Sequence, residues 1–192
     1  KHLASAGNDR VVRVWDVASG AMLAALTGHA HPVNALAYAP DGRLLVSAST
    51  DGSVRVWDRA GNGSRVLRNQ GNALYAAAFS PDGGLATAGK DRMVTLWDLA
   101  SGKVVRTLER HEADVHALAY SPSGRLLVSG GGDRTVRVWD LVRGEEQAAL
   151  AGHRQTILAL AYSPNGRWLA SSDAASTIRI WDAYTLTPVR AL

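Results

Sequence analysis

The sequence predicts an all-β chain of stacked four-stranded antiparallel sheets, and three observations carry that prediction. A Trp-Asp dipeptide recurs at Trp15-Asp16, Trp57-Asp58, Trp97-Asp98, Trp139-Asp140 and Trp181-Asp182, with spacings of 42, 40, 42 and 42 residues. A fixed period of this length marks a repeat architecture. Between the dipeptides lie short apolar segments of period two, separated by clusters of turn-forming residues.

The second unit shows each element in order. Val33-Asn34-Ala35-Leu36-Ala37-Tyr38, Leu44-Leu45-Val46-Ser47 and Val54-Arg55-Val56-Trp57 alternate as strands do. Ala39-Pro40-Asp41-Gly42, Thr50-Asp51-Gly52 and, one unit earlier, Ala18-Ser19-Gly20 supply the turns. Proline fixes φ, aspartate offers a local acceptor and glycine tolerates positive φ. Each unit therefore reads as a meander of four short strands. One such sheet cannot bury both faces alone, so neighbouring units must stack.

Composition narrows the class further. With 192 residues, 46% hydrophobic and 20% charged, the chain can bury a core and sits outside the disordered range. No eighteen consecutive apolar residues occur and the amino terminus is not a charged-then-apolar leader. A chain with no membrane span, no membrane association and a cytoplasmic location is expected. The absence of cysteine excludes disulfides and thiolate ligands and fits a reducing compartment. The 21 Lys+Arg against 17 Asp+Glu leave a net charge of +4. Arg13, Arg55, Arg137 and Arg179 each precede a tryptophan by two residues, so the repeat spreads positive charge evenly. A solvated strand face is expected, with no nucleic-acid partner.

These residues resemble the WD-repeat family, whose motif is Gly-His, a Ser/Thr, an Asp in a tight turn and Trp-Asp. Gly28-His29, Ser47, Asp51 and Trp57-Asp58 match it in the second unit. In the fourth, His111, Ser129, Asp133 and Trp139-Asp140 match, with Arg110 in place of the glycine. The Ser-Pro-x-Gly-Arg turns and the Ala/Arg/Gly-rich filling resemble bacterial-type WD repeats. The family resemblance implies a WD-repeat β-propeller, each repeat giving the outer strand of one blade and three strands of the next. With strands lettered a to d outward from the axis, Lys1 aligns with Arg43, so the first unit begins within its blade. The expected blades are 1–26 in part, then 28–67, 69–108, 110–150 and 152–192, in one domain of residues 1–192. Four full blades and three strands of a fifth are expected as part of a larger, typically seven-bladed ring. The alternative is a five-bladed ring with a gap, or closure through further blades or a second chain.

His29, Ser47 and Asp51 are the residue types of a hydrolytic triad. The set recurs, however, and no Gly-x-Ser-x-Gly elbow exposes a serine. A buried indole N–H needs an acceptor, and a Ser or Thr lies ten residues before every repeat tryptophan. One structural hydrogen-bond fastener per blade is expected. The sets are Ser5, Asp9 and Trp15; His29, Ser47, Asp51 and Trp57; Thr87, Asp91 and Trp97; His111, Ser129, Asp133 and Trp139; His153, Ser171 and Trp181. No residue is assigned to catalysis, and no cofactor is called for. In the third unit Asn69-Gln70 replaces Gly-His, and in the fifth Ala175 takes the Asp position, with Asp173 as a substitute. Local opening is expected in those two blades. Neither His29 with His31 nor His111 with His116 supplies the three or four donors a metal needs. Gly130-Gly131-Gly132 lacks the Lys-Ser/Thr of a phosphate loop and reads as close packing in strand b.

Strand direction places the d-to-a loops and the b-to-c turns on one rim. Positions there that vary between units are free of the repeat and can carry specificity. The partner-binding candidates are Tyr75, Lys90, Glu112, Asp114, Arg154 and Gln155. The expected function is a non-catalytic protein–protein interaction scaffold, because the resemblance implies that protein or peptide ligands dock on this rim. The alternative is a regulatory or sensor propeller module of a larger multidomain enzyme such as a kinase or NTPase.

Overall fold

The computed structural model describes residues 1–58, 63–68 and 71–192, and every regular element among them is a strand. Five antiparallel sheets follow one another, each a meander whose neighbours in space are neighbours in sequence. The first sheet holds β1 (His2–Ser5), β2 (Val12–Asp16) and β3 (Met22–Leu26). The second holds β4 (Val33–Tyr38), β5 (Leu44–Ser49), β6 (Ser53–Asp58) and β7 (Ser64–Arg68). The third holds β8 (Leu74–Phe79), β9 (Leu85–Gly89), β10 (Met93–Asp98) and β11 (Lys103–Glu109). The fourth holds β12 (Val115–Tyr120), β13 (Leu126–Gly131), β14 (Val136–Asp140) and β15 (Glu145–Leu150). The fifth holds β16 (Ile157–Tyr162), β17 (Trp168–Asp173), β18 (Ile178–Asp182) and β19 (Thr187–Ala191). No helix among the described residues is long and apolar enough to cross a membrane.

The innermost strands touch in succession, β4 on β8, β8 on β12 and β12 on β16, so the sheets stand as blades about one axis. Each interface uses the same sequence positions. Leu45, Leu85, Leu127 and Leu169 of the later sheet, with Trp57, Trp97, Trp139 and Trp181, meet Val12, Val54, Val94 and Val136 of the earlier one. All four leucines and all four valines are essentially fully buried. Each buried aliphatic side chain contributes about 1.5–3 kcal/mol, which is how meanders too thin to fold singly become stable as a stack.

The arc does not close. Leu3, in the place of Leu45, is 59% exposed, and Ile178, in the place of Val136, is 42% exposed. Among the described residues no apolar cluster joins the fifth sheet to the first.

Every complete inner strand carries a bulge at its second residue. The pairing slips between Val33 and Ala35, Leu74 and Ala76, Val115 and Ala117, and Ile157 and Ala159. A bulge leaves one residue outside the ladder and re-aims its side chain. Those residues are Asn34, Tyr75, His116 and Leu158.

Two sequence expectations need correction. The arginines before the tryptophans are not a solvated face. Arg137 is only 13% exposed and donates to Glu146 at 2.7 Å, with Asp133 at 3.6 Å. Arg55 donates to the Gly28 carbonyl at 2.6 Å, and Arg13 pairs with Asp9. A Cβ on Gly28 would lie 2.8 Å from Arg55 Nη1, and one on Gly152 would lie 3.0 Å from Arg179 Cζ. The glycine before the histidine is therefore room for the guanidinium of the same blade. Where Arg110 takes that place, Arg137 turns to Glu146 instead. The glycine run is split: Gly130 and Gly131 end β13, whereas Gly132 lies in the following turn. A Cβ on Gly131 would meet the Asp114 carbonyl oxygen at 1.9 Å, so close packing does fix it.

Candidate functional site

The fastener is assembled from three parts of a blade. In the second sheet the Trp57 indole N–H donates to Ser47 Oγ at 2.8 Å, and Ser47 lies 2.7 Å from His29 Nε2. His29 Nδ1 lies 3.0 Å from Asp51 Oδ2. One proton assignment satisfies every atom: the serine hydroxyl donates to Nε2, and Nδ1–H donates to the carboxylate. The fourth sheet repeats this with Trp139, Ser129, His111 and Asp133 at 2.8, 2.7 and 2.7 Å. The fifth does so with Trp181, Ser171, His153 and Asp173 at 2.8, 2.6 and 2.9 Å.

Asp173, expected as the substitute where Ala175 takes the Asp position, fills that role. It pairs across from Ile157, at the end of β17, and reaches the imidazole from there rather than from the turn. The expected weakness of the fifth blade loses its reason. In the third sheet Trp97 donates to Thr87 at 2.8 Å, while Asp91 accepts from the Met93 amide at 3.1 Å. Asn69 and Gln70 lie outside the described residues. In the first sheet Trp15 donates to Ser5 at 2.8 Å and Asp9 is held by Arg13.

Electrostatics agree with the proton assignment. Burial pushes the Asp51 carboxyl up, but hydrogen bonds from Ser53, Ala30 and His29 outweigh it and hold the group well below its ordinary value. Asp173 is likewise pushed up by burial and pulled further down by His153, Thr177, Ala175 and Arg154, to about 2. In Asp133 burial is again outweighed, chiefly by His111. Burial lowers His29, partly against the pull of Asp51, which favours the neutral ring.

Chemically the trio cannot behave as a triad in this conformation. Ser47 and Ser129 are wholly buried and Ser171 is 1% exposed, and each oxygen already accepts an indole proton. A nucleophile must reach its substrate. Among the described residues no group of three His, Cys, Asp or Glu converges as a metal site.

The same aspartates also hold the rim. Their Oδ2 atoms accept from the main-chain N–H of Ala30 at 2.9 Å, Glu112 at 3.2 Å and Arg154 at 3.4 Å. The loop before each inner strand is thereby tied to the turn between the middle strands. Lys90, in such a turn, donates its amide to the Ala73 carbonyl at 2.8 Å. Lys90, Glu112, Arg154 and Gln155 are exposed on this rim. Tyr75 is different: it is the half-buried bulge residue of β8, and its ring stacks on His116 at 4.9 Å and 18°. Burial raises its hydroxyl above the ordinary tyrosine range, and the Asp114 charge adds to this. Asp114 thus bears on Tyr75 through its charge, whereas His116 touches its ring. His116, considered only as a metal ligand, and Asn34 and Leu158 were missed as rim residues. Comparing the second position of every inner strand finds all four.

Sheets radiating from one axis, each with a tryptophan bonded to a serine or threonine and three of them with the full His–Asp fastener, define a repeat propeller chain. The "WD domain, G-beta repeat" model matches residues 20–58, 62–98, 102–140 and 144–182, and the chain belongs to that family. Each match ends on the aspartate of a Trp-Asp pair, and so runs from strand d of one sheet through strand c of the next. Among similar proteins is the human "WD repeat and SOCS box-containing protein 1", 44% identical over 101 residues, or 50% of this chain and 24% of that protein. "Periodic tryptophan protein 2" of Arabidopsis thaliana is 34% identical over 131 residues, covering 66% and 15%. "Cilia- and flagella-associated protein 52" of Chlamydomonas reinhardtii is 37% identical over 124 residues, covering 62% and 20%. The chain spans a quarter or less of these relatives' lengths. All three are eukaryotic and lend nothing to the bacterial-type resemblance.

Proposed function

We propose that this chain is a non-catalytic scaffold that docks proteins or peptides on the rim formed by the loops before the inner strands and the turns between the middle strands. The observation that carries the proposal is the aspartate that accepts from both the buried histidine and the loop N–H. It presents variable rim residues on a backbone already fixed by the core. Preorganised loops lose little entropy on binding, and interface energy concentrates in a few such anchors. The human relative's name joins WD repeats to a SOCS box, an arrangement in which repeats serve as one module beside another. That supports a docking module within a larger protein.

The test compares two multiple variants in affinity capture with quantitative mass spectrometry. One carries Lys90→Ala, Glu112→Ala, Arg154→Ala and Gln155→Ala on the rim. The other carries Val104→Ser and Val105→Ser on the exposed outer strand β11. Loss of captured proteins with the rim variant alone supports the reading. Loss with the outer-strand variant alone refutes it.

A further inference from the structure

The four complete inner strands repeat closely. Val33, Leu74, Val115 and Ile157 open them, alanine comes third at Ala35, Ala76, Ala117 and Ala159, and Tyr38, Phe79, Tyr120 and Tyr162 close them. Only the second position differs in chemical kind in every copy: Asn34, Tyr75, His116 and Leu158. It is also the bulge position. The repeat is thus relaxed at the one residue per inner strand that the ladder does not hold.

Asn34 is already satisfied, donating to Thr50 Oγ1 at 2.9 Å and to the Leu74 carbonyl at 2.7 Å. Tyr75 and His116 form the stacked pair beside it. Asp114, two residues before His116, is half-buried, and its charge is felt by the Tyr75 hydroxyl. Among the described residues the Asp114 carboxylate has no hydrogen bond or ion pair; only its main-chain oxygen is engaged, by Gly132 N–H at 2.8 Å. The pair lines a groove of about 210 Å³ together with Ala35, Ala77, Leu118 and Leu160. Ala77 stands where the other inner strands carry Leu36, Leu118 and Leu160, which opens the groove at Tyr75.

We propose that the Tyr75–His116 pair and the Asp114 carboxylate seat one basic side chain, lysine or arginine, of an extended peptide crossing the mouth of the axis. This rests on the rim-docking reading above and names the chemistry of what docks. A cation is attracted to an aromatic face and to an unpaired carboxylate that has lost part of its water. Its methylene stem covers apolar surface while the charged head stays at the rim, which suits a groove of alanine and leucine lined by the aromatic pair.

The experiment titrates the ¹⁵N-labelled chain with acetyl-Ala-Lys-Ala-amide and acetyl-Ala-Arg-Ala-amide, with the norleucine peptide as the uncharged control. Expected are shifts of the Tyr75, Asp114 and His116 amides with both basic peptides and not with norleucine. Asp114→Asn should weaken binding about tenfold or more. Unchanged indole resonances of the five repeat tryptophans establish that the variant is folded, and Tyr75→Leu provides a second variant with the acid intact. Equal titration by norleucine overturns the cation seat in favour of a purely apolar groove. Shifts confined to Glu112, Arg154 and Gln155 overturn it while leaving rim docking intact. No response to millimolar basic peptide also overturns it, and rim docking is then judged separately by the capture comparison.

Discussion

Replacing His111 with alanine should destabilise the chain by about 3–5 kcal/mol, a large part of the ~5–15 kcal/mol typical of a folded domain. The His111 side chain is wholly buried and holds two contacts of 2.7 Å, to Ser129 and Asp133. Its loss leaves the Ser129 hydroxyl proton without an acceptor inside a dry blade, at a cost of about 1–3 kcal/mol. It also removes a hydrogen bond to a charged group, about 1.5–3 kcal/mol. Asp133 keeps the Glu112 and Thr135 amides, each at 3.2 Å, which limits the damage. The assay is urea unfolding followed by tryptophan fluorescence, with His31→Ala, an exposed histidine, as control. The midpoint should fall for His111→Ala and stay within about 0.5 kcal/mol for the control. Since each sheet packs only on its neighbours, lost amide protection should centre on β12 to β15. A cost below about 1 kcal/mol, or protection lost evenly over all sheets, would refute the fastener.

Three further outcomes are expected. Gly28→Ala and Gly152→Ala should each lower the thermal transition, by about 1–3 kcal/mol of strain at positive φ and by collision with Arg55 or Arg179, whereas Arg110→Gly should have little effect. Asp173→Ala should lower the transition as much as Asp51→Ala does, and adding Ala175→Asp to it should recover stability if the turn position serves equally well. Stability should fall on acidification in two stages, readable by urea unfolding at stepped pH. His29, lowered by burial, binds a proton more readily when unfolded, so stability declines as pH drops below the ordinary histidine value. The lowered aspartates add a steeper loss as pH falls from the unfolded carboxylate value of 3.8 toward the Asp173 value of about 2. A profile that gains stability below pH 6 would contradict the neutral-histidine assignment.

The period of the Trp-Asp pairs made the sheets legible, because each copy carries the same leucine, valine and tryptophan at the same interface. The Ser-to-Trp spacing likewise exposed the fastener, since a ten-residue offset across a hairpin sets the two side chains together. Features outside the periodic pattern were harder to see. Asp173 does the work of a turn aspartate from the end of a strand, and only the register shows that its carboxylate reaches His153. The Arg55-to-Gly28 contact spans 27 residues and joins two elements whose proximity the pattern does not state. The bulges are invisible to a period-two reading because they break it, and the Tyr75–His116 stack depends on them.

The aspartate shared between histidine and loop ties the stability of a blade to the shape of its rim. Removing Asp51 orphans the His29 Nδ1–H and releases the Ala30 amide together, so the blade weakens where the loop loosens. A binding surface built this way loses blade stability when it varies at the residues that fix its backbone. Without that loss it can vary only at side chains that the aspartate does not touch, which are the rim positions after the histidine and the bulge position one turn below. The split is visible within this one chain: histidine recurs in three of the four units at His29, His111 and His153, with Gln70 in its place in the third, while Asn34, Tyr75, His116 and Leu158 are all different. A variant that alters ligand preference without altering stability should therefore arise at the second group, and one that alters both should arise at the aspartates.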